Sequence, residues 1–408
     1  MEPKIRFKGF EGEWRKAKLG DIATFSKGSG YSKSDLCKEG SPIVLYGRLY
    51  TKYQSIIDEI DTFVAPKANS VISTGGEVII PASGESPEDI SLAATIKNAG
   101  VIIGGDLNVL KFDCNNNNPD FMSMAITYSP TRSELSNYSQ GKTVVHLRNS
   151  EIAKGNVCFP RIEEQKAIVN YVLSLDSQIF ASTSRLASLK QMKAASLQAM
   201  FPQEGETVPK IRFKGFEGEW KKVKLGDIAK FSKGQGYSKS DLKETGHPII
   251  LYGRMYTKYQ FAIDEVDTFA NLKDASILSE GNEIIMPASG ETPEDIACAS
   301  AVLAKDIILG GDLNIMHFDL TKFSTPFIAL GITYCKTHHD LSKCAQGKSV
   351  VHLHNGAISK AIISLPSLAE QQAIASYFTS LDRQISLQSQ RLEKLKQIKS
   401  ACLDKMFV

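Results

Sequence analysis

Between residues 163 and 201 apolar side chains recur at Ile168, Val172, Leu175, Ile179, Leu186 and Leu189. The spacing alternates between four and three, with one polar interruption at Ser182, and so describes a heptad seam. A second run at 369–408 carries Ile374, Phe378, Leu381, Ile385, Leu392 and Leu395, with Gln388 at the interrupted place. The pattern predicts two long helices, each carrying a coiled-coil seam. At 1.5 Å per residue, the first is about 58 Å long, more than a small domain needs for its own core. Glu163 and Glu164 suit the positive end of the first helix.

Each seam residue of the second run lies 206 positions after its counterpart, as with Ile168 and Ile374 or Leu189 and Leu395. The same offset relates Ile5–Tyr53 to Ile211–Tyr259, and also Pro81 to Pro287, Asp106 to Asp312, and Phe201 to Phe407. A period this long marks a duplicated domain rather than a solenoid unit. Within each copy, short β-like runs bounded by Gly, Pro and Asp alternate with few helical stretches. In the first copy strands are predicted at 42–46, 62–64, 77–80, 100–103, 107–112, 143–147 and 157–159. A short helix is predicted at 121–128 and a helical turn at 150–154. The expected fold class is α/β (α+β) with a twofold internal repeat, two globular domains being separated by two long coiled-coil helices. The expected boundaries are 1–162 for the first globule, 163–201 for its helix, 202–210 for a linker, 211–368 for the second globule and 369–408 for its helix.

Composition narrows the class. With 42% hydrophobic residues and no apolar run near 18 residues, real cores are expected and membrane spans are not. The opening Met-Glu-Pro-Lys-Ile-Arg lacks the apolar stretch of a signal peptide, so a cytoplasmic location is expected. A net charge of +3 leaves the partner open. None of the seven cysteines has a cysteine at the matching place in the other half. Free, mostly buried thiols are therefore expected, rather than a shared metal or disulfide role.

Candidate chemistry is sparse. Gly141-Lys142-Thr143 and Gly347-Lys348-Ser349 look like the tail of a phosphate-binding loop, but the Gly required five residues earlier is Ser136 or Ser342. Ser83 and Ser289 lie in repeated Pro-Ala-Ser-Gly-Glu loops, and the one repeated histidine pair is His146/His352. A Ser-His site completed by Asp106 or Asp89 stays open, although no Gly-x-Ser-x-Gly elbow is present. Glu88-Asp89 and Glu294-Asp295 follow prolines and suit the first turn of a helix. No metal-ligating set is repeated, and no catalytic, cofactor or metal residue is assigned.

The cluster Arg48-Leu-Tyr-Thr-Lys-Tyr53, repeated at Arg254–Tyr259, stands apart. It puts two cations, a hydroxyl and two aromatics into six residues at an expected loop or strand end. Arginine grips guanine bidentately, while Lys and Tyr hold phosphates. The candidate DNA-contacting set of the first copy is Lys27, Lys33, Arg48, Tyr50, Lys52, Tyr53, Ser83, Glu85, Lys142 and Arg148. That of the second is Lys233, Lys239, Arg254, Tyr256, Lys258, Tyr259, Ser289, Glu291 and Lys348.

The order of motifs is itself informative. Trp14 and Leu19-Gly20-Asp21-Ile22 open each copy, Gln140-Gly141-Lys142-Thr143-Val144 and Phe159-Pro160 with Glu164-Gln165 close it, and a helix ending in Met200-Phe201 follows. This resembles the specificity (S) subunit of type I restriction–modification systems, over nearly the whole chain and twice. The resemblance implies two target recognition domains, each reading one half of a split site in double-stranded DNA. It further implies that the two long coiled-coil helices pack antiparallel as a spacer, with two docked methyltransferase (M) subunits and restriction (R) subunits joining them. S-adenosylmethionine, ATP and Mg are then expected on the partners, and this chain is expected to be a non-catalytic reader with no cofactor of its own. Many such subunits carry dissimilar recognition domains, whereas here the copies are alike through the Arg48 and Pro81 loops. A palindromic or nearly palindromic interrupted target is therefore expected. Two other readings remain: a fused pseudo-dimeric hydrolase using the Ser/His pairs, and an assembly adaptor that binds no DNA.

Overall fold

The computed structural model describes residues 2–141 and 143–408; Lys142, one of the assigned DNA contacts, lies outside them. The chain forms two compact units, Met1–Thr183 with Gln390–Val408, and Ser184–Ser389. Among the described residues no helix is long and apolar enough to cross a membrane.

The first unit is built on a five-stranded sheet in the order Ala23–Lys27, Leu107–Phe112, Glu77–Pro81, Ala94–Ile96, Ile56–Ile57. Its middle strand is buried along its whole length. Side chains alternate across a strand, so Val78 and Ile80 enter one core while Ile79 enters another. A continuous apolar run is what a strand covered on both faces requires. The first core also takes the helix Pro119–Tyr128; the second lies toward another five-stranded sheet, Leu36–Cys37, Phe63–Val64, Ser41–Val44, Ala99–Ile103, Ile72–Thr74. The second unit repeats the plan. Its five-stranded sheet runs Ala229–Lys233, Leu313–Phe318, Glu283–Pro287, Ser300–Val302, Ala262–Ile263, beside a four-stranded sheet.

Two long helices span Ile162–Met200 and Leu368–Lys405, each contributing to both units. Of the seam residues, Ile168, Val172, Leu175, Leu189, Ile374, Phe378, Leu381, Leu392 and Leu395 are buried, while Ile179, Leu186 and Ile385 are half-buried. In the first unit Asp176 meets Lys399 at 2.5 Å and Tyr171 interacts with Cys402. In the second, Lys193 meets Asp382 at 2.6 Å and Ser196 meets Tyr377 at 2.9 Å. As one residue number rises its partner's falls, so the packed segments in each unit are antiparallel.

Each unit therefore receives the end of the helix that began in the other repeat. Phe407 lies 5.5 Å from Phe121, and Phe201 stacks on Phe327 at 5.4 Å. This explains the repeated Met-Phe at the helix ends, whose side chains are core residues.

Some expectations change. The Arg48–Tyr53 segment is not a strand end: Arg48–Thr51 is a helical turn, with the Lys52 amide donating to the Arg48 carbonyl at 2.9 Å. Four residues are too few to display a helical period, and the turn is held by tertiary contacts, with Leu49 buried beneath it. The strand expected at 143–147 shrinks to Val145–His146 because its partner, Ser83–Gly84, is only two residues long. The seven cysteines are free, but only Cys158, Cys298 and Cys402 are buried. Cys37, Cys114 and Cys344 are exposed, since they sit in turns and at element ends, where nothing covers them.

Candidate functional site

In the first unit a cleft of about 1310 Å³ opens among the Lys33–Asp35 turn, the Arg48–Thr51 turn, the Ser83–Glu85 loop and the Gly105-Asp106 turn. It brings together Lys33, Arg48, Tyr50, Lys52, Ser83 and Glu85 of the assigned set. Lys27, Tyr53 and Arg148 do not line it. Lys27 and Arg148 are nonetheless exposed on neighbouring segments, tied by the Asn149 side-chain amide donating to the Ser26 carbonyl at 3.0 Å.

Arg48 does not present its guanidinium outward. Its side chain is 8% exposed; Nη1 donates to Asp61 Oδ1 at 2.9 Å, and Nη2 donates to Gln54 Oε1 and the Glu59 carbonyl, both at 2.8 Å. Lys52 Nζ takes the other Asp61 oxygen at 2.7 Å while remaining 56% exposed. The second unit copies this: Arg254 holds Asp267 at 2.6 Å and Gln260 at 2.9 Å, and Lys258 pairs with Asp267. Hydrogen bonds from Lys52, with its own backbone and the two cations adding, keep Asp61 below the usual carboxylate range. Lys258 and then Arg254 bring Asp267 to about 2. Both carboxylates are thus anionic at neutral pH, and the arginines act as internal struts of the turn.

The tyrosines divide by direction. Tyr53 turns inward, its hydroxyl donating to the Ala93 carbonyl at 2.9 Å, and Tyr259 does the same to Ala299 at 3.0 Å. Burial pushes both phenols well up. Tyr50 donates to the Ser83 carbonyl at 2.7 Å and so ties the helical turn to the Pro-Ala-Ser-Gly-Glu loop. Gly84 permits this approach, since a Cβ there would meet Ile90 Cγ2 at 2.4 Å and the Tyr50 hydroxyl at 2.9 Å. In the second unit Lys233, Lys239, Glu291 and Lys348 are exposed, Tyr256 is half-buried and Ser289 is buried.

Of the cleft's acidic side, sequence reasoning assigned only Glu85 to DNA contact. Asp35, Asp61, Asp89 and Asp106 line it as well, beside the cations. Asp35 is paired with Lys67 at 2.7 Å, and Asp89 accepts from the Ser86 hydroxyl at 2.6 Å. Glu85 and Asp106 stand exposed. The signal for Asp106 was its repeat: both Asp106 and Asp312 adopt positive φ, 57° and 56°, at the same turn. Tyr46 was also missed, an exposed ring edge-on to Tyr50 at 5.9 Å. The cleft thus offers ammonium donors, carboxylate acceptors and an aromatic face, a mixture suited to an extended polar ligand rather than to covalent chemistry.

The motif residues prove to be structural. Gly141 has φ +131°, and a Cβ there would sit 2.0 Å from the Val144 carbonyl oxygen. The turn it permits is closed by paired backbone bonds between Gln140 and His146 (2.8 and 3.0 Å). That hairpin sets Ser83 opposite His146, and Ser289 opposite His352. Among the described residues no hydrogen bond joins either serine hydroxyl to the imidazole, so the backbone ladder accounts for the pairing.

The family described as "Type I restriction modification DNA specificity domain" matches residues 11–191 and again 217–397. The chain belongs to this family. A curated relative, the type I restriction enzyme MjaVIII specificity subunit of Methanocaldococcus jannaschii, is 20% identical over 96% of this chain and 91% of its own length. The crystal structure of a type I restriction–modification system S subunit from M. genitalium shares the fold, with a TM-score of 0.59 and 14% identity over 100% of this chain and 99% of that one.

Within this specificity-domain chain the Glu-Gln of each closing motif locks the long helix to its globule. Glu164 sits in the first turn, as the helix dipole favours, but it is also 2% exposed and clasped by Arg6, Nε and Nη2 each at 2.8 Å. Glu370 is held likewise by Arg212, both contacts at 2.7 Å. Gln165 accepts from the Asn118 amide at 2.7 Å and donates to the Pro160 carbonyl at 2.9 Å; Gln371 does so with Ser324 and Pro366.

Proposed function

We propose that this chain is the DNA sequence-specificity subunit of a type I restriction–modification complex, in which each repeat reads one half of a bipartite duplex site. In this reading two M subunits dock on the chain and R subunits join them; the partners carry S-adenosylmethionine, ATP and Mg, and the chain itself catalyses nothing. It works in the cytoplasm, beside the DNA it reads. One observation carries the reading: the same turn, loop and cationic residues recur 206 positions apart on the same elements, within a specificity domain matched twice. The hydrolase alternative finds no support in family membership, and an adaptor without DNA contact would leave the repeated cleft residues without a task.

Because the two surfaces are so alike, the target is an interrupted inverted repeat, or nearly so, with tolerance where Arg132 and Arg148 are replaced by His338 and His354. Long-read mapping of methylated adenines in a host carrying this chain with its M subunit is expected to return such a site. Two unrelated half-sequences would overturn the proposal of symmetry.

Residue roles follow from exposure. Lys27, Lys33, Lys52 and Arg148, with Lys233, Lys239, Lys258 and Lys348, hold phosphates, and Glu85 and Glu291 face base amino groups. Arg48 and Arg254 position the turn. Arg48→Ala with Arg254→Ala is expected to abolish sequence-selective binding and to cost about 1–3 kcal/mol per unit, as the turn loses the hydrogen bonds of a charged donor. Lys52→Ala with Lys258→Ala is expected to cost under about 1 kcal/mol, leaving selectivity intact while reducing the salt slope of binding by about one per lost phosphate contact. Fluorescence anisotropy of the M-containing complex across a salt series, with thermal melts, measures both. Equal effects of the two pairs would remove the distinction.

A further inference from the structure

The two repeats part company at one end of their central strands. In the first, buried Glu77 is fully partnered. Its oxygens accept from the Ser73 hydroxyl at 2.5 Å, the Thr74 hydroxyl and amide at 2.7 and 2.8 Å, and the Gly75 amide at 3.0 Å, and Lys111 Nζ lies at 3.1 Å. In the second, Glu283 is equally buried, 3% exposed, but of these partners only the amide at the Thr74 position remains. Lys111 is replaced by His317 and Thr74 by Glu280, and the Ser279 hydroxyl donates instead to the Ala304 carbonyl at 2.8 Å. Glu283 Oε1 still accepts the Glu280 amide, while Oε2 is buried with no partner.

The replacements gather around this carboxylate. Ile284 pairs with Met316 in the antiparallel ladder, which sets Glu283 beside His317 on the adjoining strand. One ligand atom each from Glu280, Glu283 and His317 lies within 4.8 Å of the others. Ser232 Oγ contacts His317 Nε2 at 3.0 Å, which orients the ring and leaves Nδ1 as the nitrogen open to a ligand. Lys230 is opposite His317 on the outer strand, yet among the described residues it forms no ion pair with either carboxylate. A buried carboxylate with one oxygen unpartnered, near a second carboxylate and an imidazole, calls for a cation.

We propose that Glu280, Glu283 and His317 form a divalent transition-metal site, of the zinc class, present in the second repeat alone. One imidazole and two carboxylates, with water in the fourth position, are a zinc ligand set; magnesium and calcium prefer oxygen alone. Tetrahedral ligands about 2.0–2.1 Å from zinc stand roughly 3.4 Å apart, within the 4.8 Å that bounds the three groups, and exposed Glu280 adjusts by side-chain rotation. The ion takes over the charge role of Lys111 and clasps the strands Glu283–Pro287 and Leu313–Phe318, the first of which runs into the Ser289–Glu291 loop.

The test uses the full chain, stripped with chelator and titrated with ZnCl2 by calorimetry, with metal content and melting temperature measured in parallel. One zinc per chain is expected, with a melting temperature that rises with ZnCl2 and not with equal MgCl2. His317→Lys, which restores the lysine of the first repeat, is expected to remove zinc uptake and its thermal shift while leaving the metal-free chain folded. Glu280→Thr is expected to weaken binding at least tenfold. Failure of the wild-type chain to take up zinc, unchanged uptake by His317→Lys, or an equal response to magnesium would overturn the proposal.

Discussion

Phe201→Ala is expected to lower the stability of the second unit by about 3–5 kcal/mol, the range for truncating a buried aromatic. Phe201 is 2% exposed, and its ring is stacked on Phe327 and edge-on to Trp220 at 5.8 Å, with Phe378 at 6.4 Å. Four aromatic rings meet there, from the end of one long helix, the start of the other, and two segments of the globule. Alanine leaves a void lined by rings that cannot collapse without moving a helix, so the cavity penalty adds to the lost transfer energy. The chain has two tryptophans, Trp14 and Trp220. In a Trp14→Phe background, denaturant unfolding followed by Trp220 fluorescence reads this unit directly. A loss below about 1 kcal/mol would mean the ring is not part of the core as described. Phe407, against Phe121 and Tyr128 (6.2 Å), is the equivalent residue for Trp14 to report.

Arg212→Ala is expected to cost about 3–5 kcal/mol, because it strands a buried carboxylate. The Glu370 side chain is 1% exposed and bound to two guanidinium nitrogens, and Arg212 also donates to the Gly218 carbonyl at 2.7 Å. Arg212→Met combined with Glu370→Leu is expected to recover much of the loss, since removing both charges also removes the desolvation cost. The double-mutant cycle measures the coupling. Additive single and double effects would show that the pair is not an interacting unit. In the first repeat Arg6 and Glu164 are the matching pair.

Much of the architecture was readable in advance. The helices announced themselves because a seam of period 3.5 persists over many turns, and the duplication because two copies share one offset with no net insertion. Short elements were less readable: the Arg48–Thr51 turn has no period of its own and forms because Leu49, Tyr50 and Arg48 are each anchored elsewhere. The candidate site was half readable. Lys33, Lys52 and Glu85 come together at the cleft, whereas Tyr53 points into the core and Arg48 is committed to Asp61, Gln54 and Glu59.

The sequence by itself determined that there are two copies of one domain, two long heptad helices and a cationic cluster in each copy, since periodicity and repetition are properties of order along the chain. Tertiary structure alone decided which charges stay available. Glu164 meets Arg6 across 158 positions and Gln165 meets Asn118 across 47, and no local pattern encodes such pairings. It also decided that Phe201 serves the second repeat and Phe407 the first, because each helix outruns its own globule and buries its apolar end where an aromatic core is open to receive it.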